Sequence, residues 1–204
     1  MQPFHRHRGV LVPLLATNID TDQIIPARFI HRPRSAGYGD QLFHDLRYDG
    51  SRARRPEFVL NQSSYENGSI LVAGPNFGCG SSRENAVWAL LDYGFRAVIA
   101  PSFGDIFFNN ALNNGLLTIV ADDALHDVLM QATQAKTSAT AEIDLVDRTV
   151  KLNGRQCFAF NIDDHRRQAL LEGASEIEMT LKALDRIRTF EVSHFDDKPW
   201  AAPR

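Results

Sequence analysis

The sequence predicts an α/β fold, with a parallel sheet at its centre and an antiparallel layer beside it. Three observations carry this. The short apolar runs Ile70–Ala73, Ala97–Ala100 and Leu116–Val120 alternate with amphipathic segments of helical length. Strand, helix, strand, helix, strand requires parallel pairing with right-handed crossovers. Further on, Glu142–Val146 and Thr149–Leu152 alternate around Asp147-Arg148, and Gln156–Phe160 follows the turn Asn153-Gly154, which reads as an antiparallel meander. The composition, 44% apolar and 23% charged over 204 residues, suits a chain with its own core.

The elements follow in order. In the first stretch, 1–67, Val10-Leu11-Val12 reads as a strand and Asn18 to Asp22 as a polar turn. The Arg-, Gly- and Asp-rich segment His31 to Arg55 reads as a long loop, a kind of segment tied to function or mobility. Asn67-Gly68 turns into the strand that ends at Ala73. Gly74 to Gly80 is a glycine-punctuated loop. Arg83 to Tyr93 places Ala86, Leu90 and Tyr93 at helical spacing and meets Gly94, a C-cap. Phe103 to Asn113 is a second helix, closed by Asn114-Gly115. Asp122 to Gln134 is a third, with aspartates at the positive end of its dipole. Two more helices are predicted, His165 to Leu171 before Gly173 and about Thr180 to Val192.

Several function classes fall away. No apolar run reaches the length of a membrane-spanning helix. The basic start of the chain is followed by Pro13 and an acidic turn without a cleavage pattern, so no secretory signal is read. Cys79 and Cys157 are too few for a disulfide framework, and they suit a reducing, cytoplasmic setting. They are also too few for the four thiolates of a standard iron–sulfur or zinc site. A net charge of −3 speaks against nucleic acid as partner.

Chemistry concentrates at Gly78-Cys79-Gly80-Ser81-Ser82-Arg83-Glu84, between a buried strand and a helix start. Open α/β sheets place ligands there, at the carboxyl ends of strands. Glycines admit close backbone approach, free helix N–H groups attract anions, and Arg83 offers a planar fork to a carboxylate or phosphate. A competing reading makes Ser81 and Glu84 a capping box. Capping does not account for the flanking glycines, or for a cation in the first turn, where it opposes the dipole. A loop that binds a small anion is the preferred reading.

Known phosphate and nucleophile motifs do not fit. Arg83 stands where a dinucleotide fingerprint needs its third glycine, no Gly-Lys-Ser/Thr occurs, and no glycine completes a nucleophile elbow. Cys79 near a helix start has no assignable histidine partner. His31, His44, His126, His165 and His194 lack metal-ligand spacing, and His5 and His7 read as a solvated terminus. Asp20-Thr21-Asp22 opens like a calcium loop but lacks its glycine and distal glutamate. Arg52, Arg54 and Arg55 read as a solvated basic cluster.

Asn76-Phe77-Gly78-Cys79-Gly80-Ser81-Ser82-Arg83-Glu84 resembles the signature of the aconitase superfamily's swivelling domain, and more closely that of the 3-isopropylmalate dehydratase small subunits. Asn18 to Pro26, Trp88 to Phe95, Ala100 to Phe107, and Asn161-Ile162-Asp163 with Arg166 and Arg167 resemble the same family in order. The resemblance implies one swivelling β/β/α domain of three layers over 1–204, with a central parallel sheet plus an antiparallel sheet, a core at about 67–121 and a hairpin and helices at about 141–195. It implies interconversion of 2- and 3-isopropylmalate through the alkene, in leucine biosynthesis. It makes Ser81 the general base, puts the catalytic-site Asp22 beside it, and gives Ser82 and Arg83 the substrate carboxylate. It also implies a large-subunit partner carrying a [4Fe–4S] cluster, a small dicarboxylate hydroxy-acid substrate, and no cofactor or metal on this chain. Two positions depart from the family pattern: Asn85 where members usually carry His, and Pro75 where they often carry Glu. A subunit of a citraconate, dimethylmalate or homoaconitate hydro-lyase, or a degenerate scaffold subunit, is the alternative. The His31 to Gly39 loop is expected to read the substrate's R group, with no role assigned to Arg32 or Arg34.

Overall fold

The computed structural model describes residues 1–134 and 139–202, with the backbone alone for Gln156 and Cys157. In chain order the elements are β1 (Arg6–Leu14), α1 (Thr21–Ile24), α2 (His44–Arg47), β2 (Gly68–Ala73), α3 (Glu84–Tyr93), β3 (Ala97–Ala100), α4 (Asp105–Asn114), β4 (Leu117–Val120), α5 (Asp123–Thr133), β5 (Thr140–Asp144), β6 (Thr149–Leu152), β7 (Gln156–Ala159), α6 (Asp164–Glu172), α7 (Glu176–Leu181) and α8 (Leu184–Asp197). The strands form one seven-stranded sheet in the order β4-β3-β2-β1-β5-β6-β7.

The three apolar runs pair in parallel as expected, with Ile70 opposite Ala97 and Ala97 opposite Leu117. The parallel and antiparallel parts meet at β1, which pairs parallel with β2 and antiparallel with β5, so both belong to a single mixed sheet. Strand periodicity explains the two cores. Leu71, Ala73, Val98 and Ala100 face the side covered by α1, α2 and α3, with Phe77, Phe95 and Tyr38. Their neighbours Ile70, Val72, Ala97 and Ile99 face α5 and the meander, against Leu125, Leu129, Ile143 and Val150. Strands covered on both faces read as continuous apolar runs, and for that reason their alternation was invisible in sequence. Each buried aliphatic side chain contributes about 1.5–3 kcal/mol.

Turn chemistry sets the boundaries. Gly94, Gly115 and Gly173 sit in the left-handed region as C-caps of α3, α4 and α6. Asn153 and Gly154 both have positive φ, the requirement of a tight hairpin turn. Asp122 caps α5 through Leu125 N at 2.8 Å.

One expectation is corrected, and one competing reading falls. The helix expected over Thr180 to Val192 is two helices, α7 and α8, separated at Lys182–Ala183, and α7 begins at a Ser175/Glu178 capping box. The Ser81/Glu84 capping box does not form: α3 starts at Glu84, its N-cap is Arg83, and no side chain caps it. Glu84 instead accepts from Asn114 Nδ2 at 2.7 Å, and Asn114 Oδ1 accepts from Trp88 Nε1 at 2.9 Å. That relay ties α3 to α4.

Candidate active site

Three of the sequence motifs converge because they leave the carboxyl ends of three adjacent parallel strands, β1, β2 and β3. The segments after β1 and β2 are laced backbone to backbone. Asn18 N donates to Pro75 O at 3.0 Å, Gly78 N to Ile19 O at 2.7 Å, and Thr21 N to Cys79 O at 3.0 Å. Buried Thr21 adds a bond from Oγ1 to Ser81 O at 2.9 Å. Asn18 and Asn76 are both left-handed, and their side chains bond to each other at 2.8 Å. On the other side, Phe77 N donates to Ser102 O at 3.1 Å and Gly104 N to Phe77 O at 2.9 Å. Phe77 meets Phe107 edge-on with centroids 5.3 Å apart. The motif of Asn161-Ile162-Asp163 with Arg166 and Arg167 does not join them. Arg166 bonds Asn109 Oδ1 at 2.8 Å and Arg167 bonds Leu145 O at 2.9 Å, so both brace the α4 and meander side.

This frame presents Ser81 and Ser82 to solvent. The Arg83 side chain is 15% exposed and forms an ion pair with the Asp22 carboxylate, which is 56% exposed. The pairing resolves the cation at the positive end of a helix: Asp22 supplies the counter-charge, leaving Arg83's remaining N–H groups for a second anion. The Arg83 hydrogen bond holds the Asp22 carboxyl below the usual carboxylate range, outweighing slight burial. A lowered folded value means that the contact contributes fully above the ordinary carboxylate range and is lost as pH falls through that lowered value. In a carbon-detected NMR titration, Asp22 is expected to protonate below the ordinary midpoint of about 3.9. Arg83→Gln should return it to that range; an unmoved midpoint would break the pairing.

At the other end of α3, Asp92 accepts from both Arg34 terminal nitrogens, at 2.6 and 2.7 Å, and from Tyr38 N at 2.8 Å. Arg34 therefore anchors the 31–39 loop to the end of α3, whereas the exposed Arg32 side chain has no partner among the described residues. The role of Arg34 is not legible locally, because its partner lies 58 positions away. A cavity of about 620 Å³ lies elsewhere, lined by Arg28, His44, Asp45 and Arg55 among others. Among the described residues, no three His, Cys, Asp or Glu side chains come together to hold a metal ion, so those residues do not supply a cluster's ligand set. No helix among them is long and apolar enough to cross a membrane.

A mixed sheet whose parallel strands deliver a glycine-hydroxyl-arginine loop to one open edge is the arrangement of an aconitase-type swivelling domain, and the aconitase C-terminal domain family model matches residues 1–124. The 3-isopropylmalate dehydratase small subunit of Rhodospirillum centenum is 46% identical over 201 residues, covering 98% of this chain and 99% of that protein. That of Marinobacter nauticus is 45% identical over 209 residues, covering 98% and 97%. The crystal structure of 3-isopropylmalate dehydratase (leuD) from Methanocaldococcus jannaschii superposes with a TM-score of 0.63 at 27% identity, over 90% of this chain and 98% of that one. The chain belongs to the family of 3-isopropylmalate dehydratase small subunits, and is thus a subunit of a hydro-lyase.

Proposed function

We propose that this chain, as one swivelling domain over 1–204, is the base-and-clamp half of a cytoplasmic enzyme that interconverts 2- and 3-isopropylmalate in leucine biosynthesis. The observation that carries the reading is the convergence of Ser81, Ser82, Arg83 and Asp22 on one exposed edge in a chain so similar to named small subunits. Arg83, with Ser82, takes a substrate carboxylate in fork geometry while Asp22 keeps the guanidinium in place. Ser81 Oγ, as alkoxide, removes the carbon-bound proton; the electron pair forms the double bond and hydroxide leaves the neighbouring carbon. Hydroxide then adds to the carbon that lost the proton, and Ser81 gives its proton to the carbon that lost hydroxide, which completes the isomerisation and restores the alkoxide. An unaided serine hydroxyl is far too weakly acidic for this. The free N–H groups opening α3 and the Arg83 charge stabilise the alkoxide once water is excluded. A [4Fe–4S] cluster on a large-subunit partner supplies the Lewis acid for the departing hydroxide.

The isolated chain should give no alkene absorbance from 3-isopropylmalate, and should give it when mixed anaerobically with an iron-loaded large subunit. Turnover by the metal-free chain alone would end the half-site reading. Arg83→Lys is expected to raise KM about tenfold or more in the complex, since a point charge cannot replace the fork. An unchanged KM would move the carboxylate to another residue.

A further inference from the structure

The last two long elements, α7 and α8, depart from the edge of the sheet opposite the Ser81 loop. That loop emerges at the carboxyl ends of the parallel strands. The chain enters α7 instead beside the segment that leads into β1, where Met1 N donates to Gly173 O at 2.8 Å and Phe4 N to Leu170 O at 2.9 Å. No residue of either helix is buried. Phe190 is 64% exposed and Val192 65%. α8 has 14 residues, a length at which an isolated helix is marginal in water, so a covering surface would stabilise it.

The outward face of α8 is complementary to itself. Arg186, Phe190, Ser193 and Asp197 recur at helical spacing and form one stripe along the helix. The first three, with Asp185 and Thr189, line a groove of about 530 Å³. The Phe190 ring is fixed by stacking on His194, with centroids 5.1 Å apart. The charges at the two ends of the stripe oppose the helix's own dipole, with Arg186 in the first turn and Asp197 in the last. Neither has an ion-pair partner among the described residues.

We infer that α8 pairs antiparallel with α8 of a second copy of this chain. A two-fold axis between Glu191 and Val192 sets each Arg186 opposite the other copy's Asp197. It also brings the two Phe190 side chains together, with Ser193 leaving room beside them. A second copy fits this face better than the large subunit does, because the arm leaves from the edge away from the Ser81 loop assigned to that subunit. Both loops of the dimer stay open. One helix pair buries less than the roughly 1,200 Å² of a standard interface, so the dimer is weak, with Kd of about 10–100 μM.

Sedimentation equilibrium of the full chain, at concentrations spanning that range, should follow a monomer–dimer curve. Phe190→Glu should leave a monomer throughout, with an unchanged urea midpoint. Arg186→Asp and Asp197→Arg should each weaken the dimer about tenfold, and the double variant should return it to within about threefold of the original. Within one chain the two residues lie about 16 Å apart along the helix, too far to compensate each other, so recovery reports contact between copies. A chain that stays monomeric, a dimer that survives Phe190→Glu, or a double variant as weak as the single ones would each overturn the proposal. A monomeric chain whose affinity for the large subunit falls in Phe190→Glu would assign the face to that subunit instead.

Discussion

Ser81→Ala is expected to lower kcat of the reconstituted enzyme by about three orders of magnitude or more, the scale of losing a positioned proton acceptor. Folding should barely change, within about 0.5 kcal/mol, because the Ser81 side chain caps no helix and lies exposed. The backbone carbonyl of Ser81, not its hydroxyl, carries the structural bond, from Thr21 Oγ1. Urea midpoints and complex formation serve as controls. Wild-type turnover from a correctly assembled Ser81→Ala complex would remove the base assignment.

Gly78→Ala should act through the frame instead. Gly78 has φ +73°, and an added Cβ would lie 2.2 Å from Cγ and 2.6 Å from Cβ of Phe107, a residue only 2% exposed. The neighbour cannot swing away, since the near atoms are the root of its side chain. About 1–2 kcal/mol for the left-handed backbone and about 1–3 kcal/mol for overpacking give an expected loss of roughly 3 kcal/mol. Gly154→Ala is the matched control, with φ +72° and nothing within 4 Å, so it should cost only the backbone part. Urea denaturation with an unchanged slope measures both. Equal losses in the two variants would refute the steric account.

The parallel strands and the strand–loop–helix that bears Ser81 were legible because each is local: an apolar run, a glycine cluster, a C-cap. The partnership of Arg83 with Asp22 was not, since nothing near either residue specifies the other; only the family resemblance put them at one site. Ser81 and Glu84 had capping-box spacing, yet long-range contacts took over both: Thr21 holds the Ser81 carbonyl and Asn114 claims Glu84. Conversely, Ser175 and Glu178 form a capping box whose spacing is plain in the sequence, and it starts α7 ahead of the helix expected from Thr180. The buried Arg47 was invisible for a third reason. It sits in a segment rich in arginine, glycine and aspartate, where burial is the least expected outcome.

The position of β1 bears on how the chain reaches this state during synthesis. Its two edges are answered by distant segments, with Val10 opposite Gly68 and Arg6 opposite Asp144, 138 positions away. At typical translation speeds the second edge stays bare for on the order of ten seconds after β1 leaves the ribosome. The stretch shared with the wider family, 1–124, contains all four parallel strands but not β5. A nascent chain halted there would offer a long strand edge to any neighbour. The meander therefore works as a seal on an otherwise adhesive intermediate. Chains stalled before Thr140 should be the ones that chaperones hold and that aggregate when chaperones are scarce.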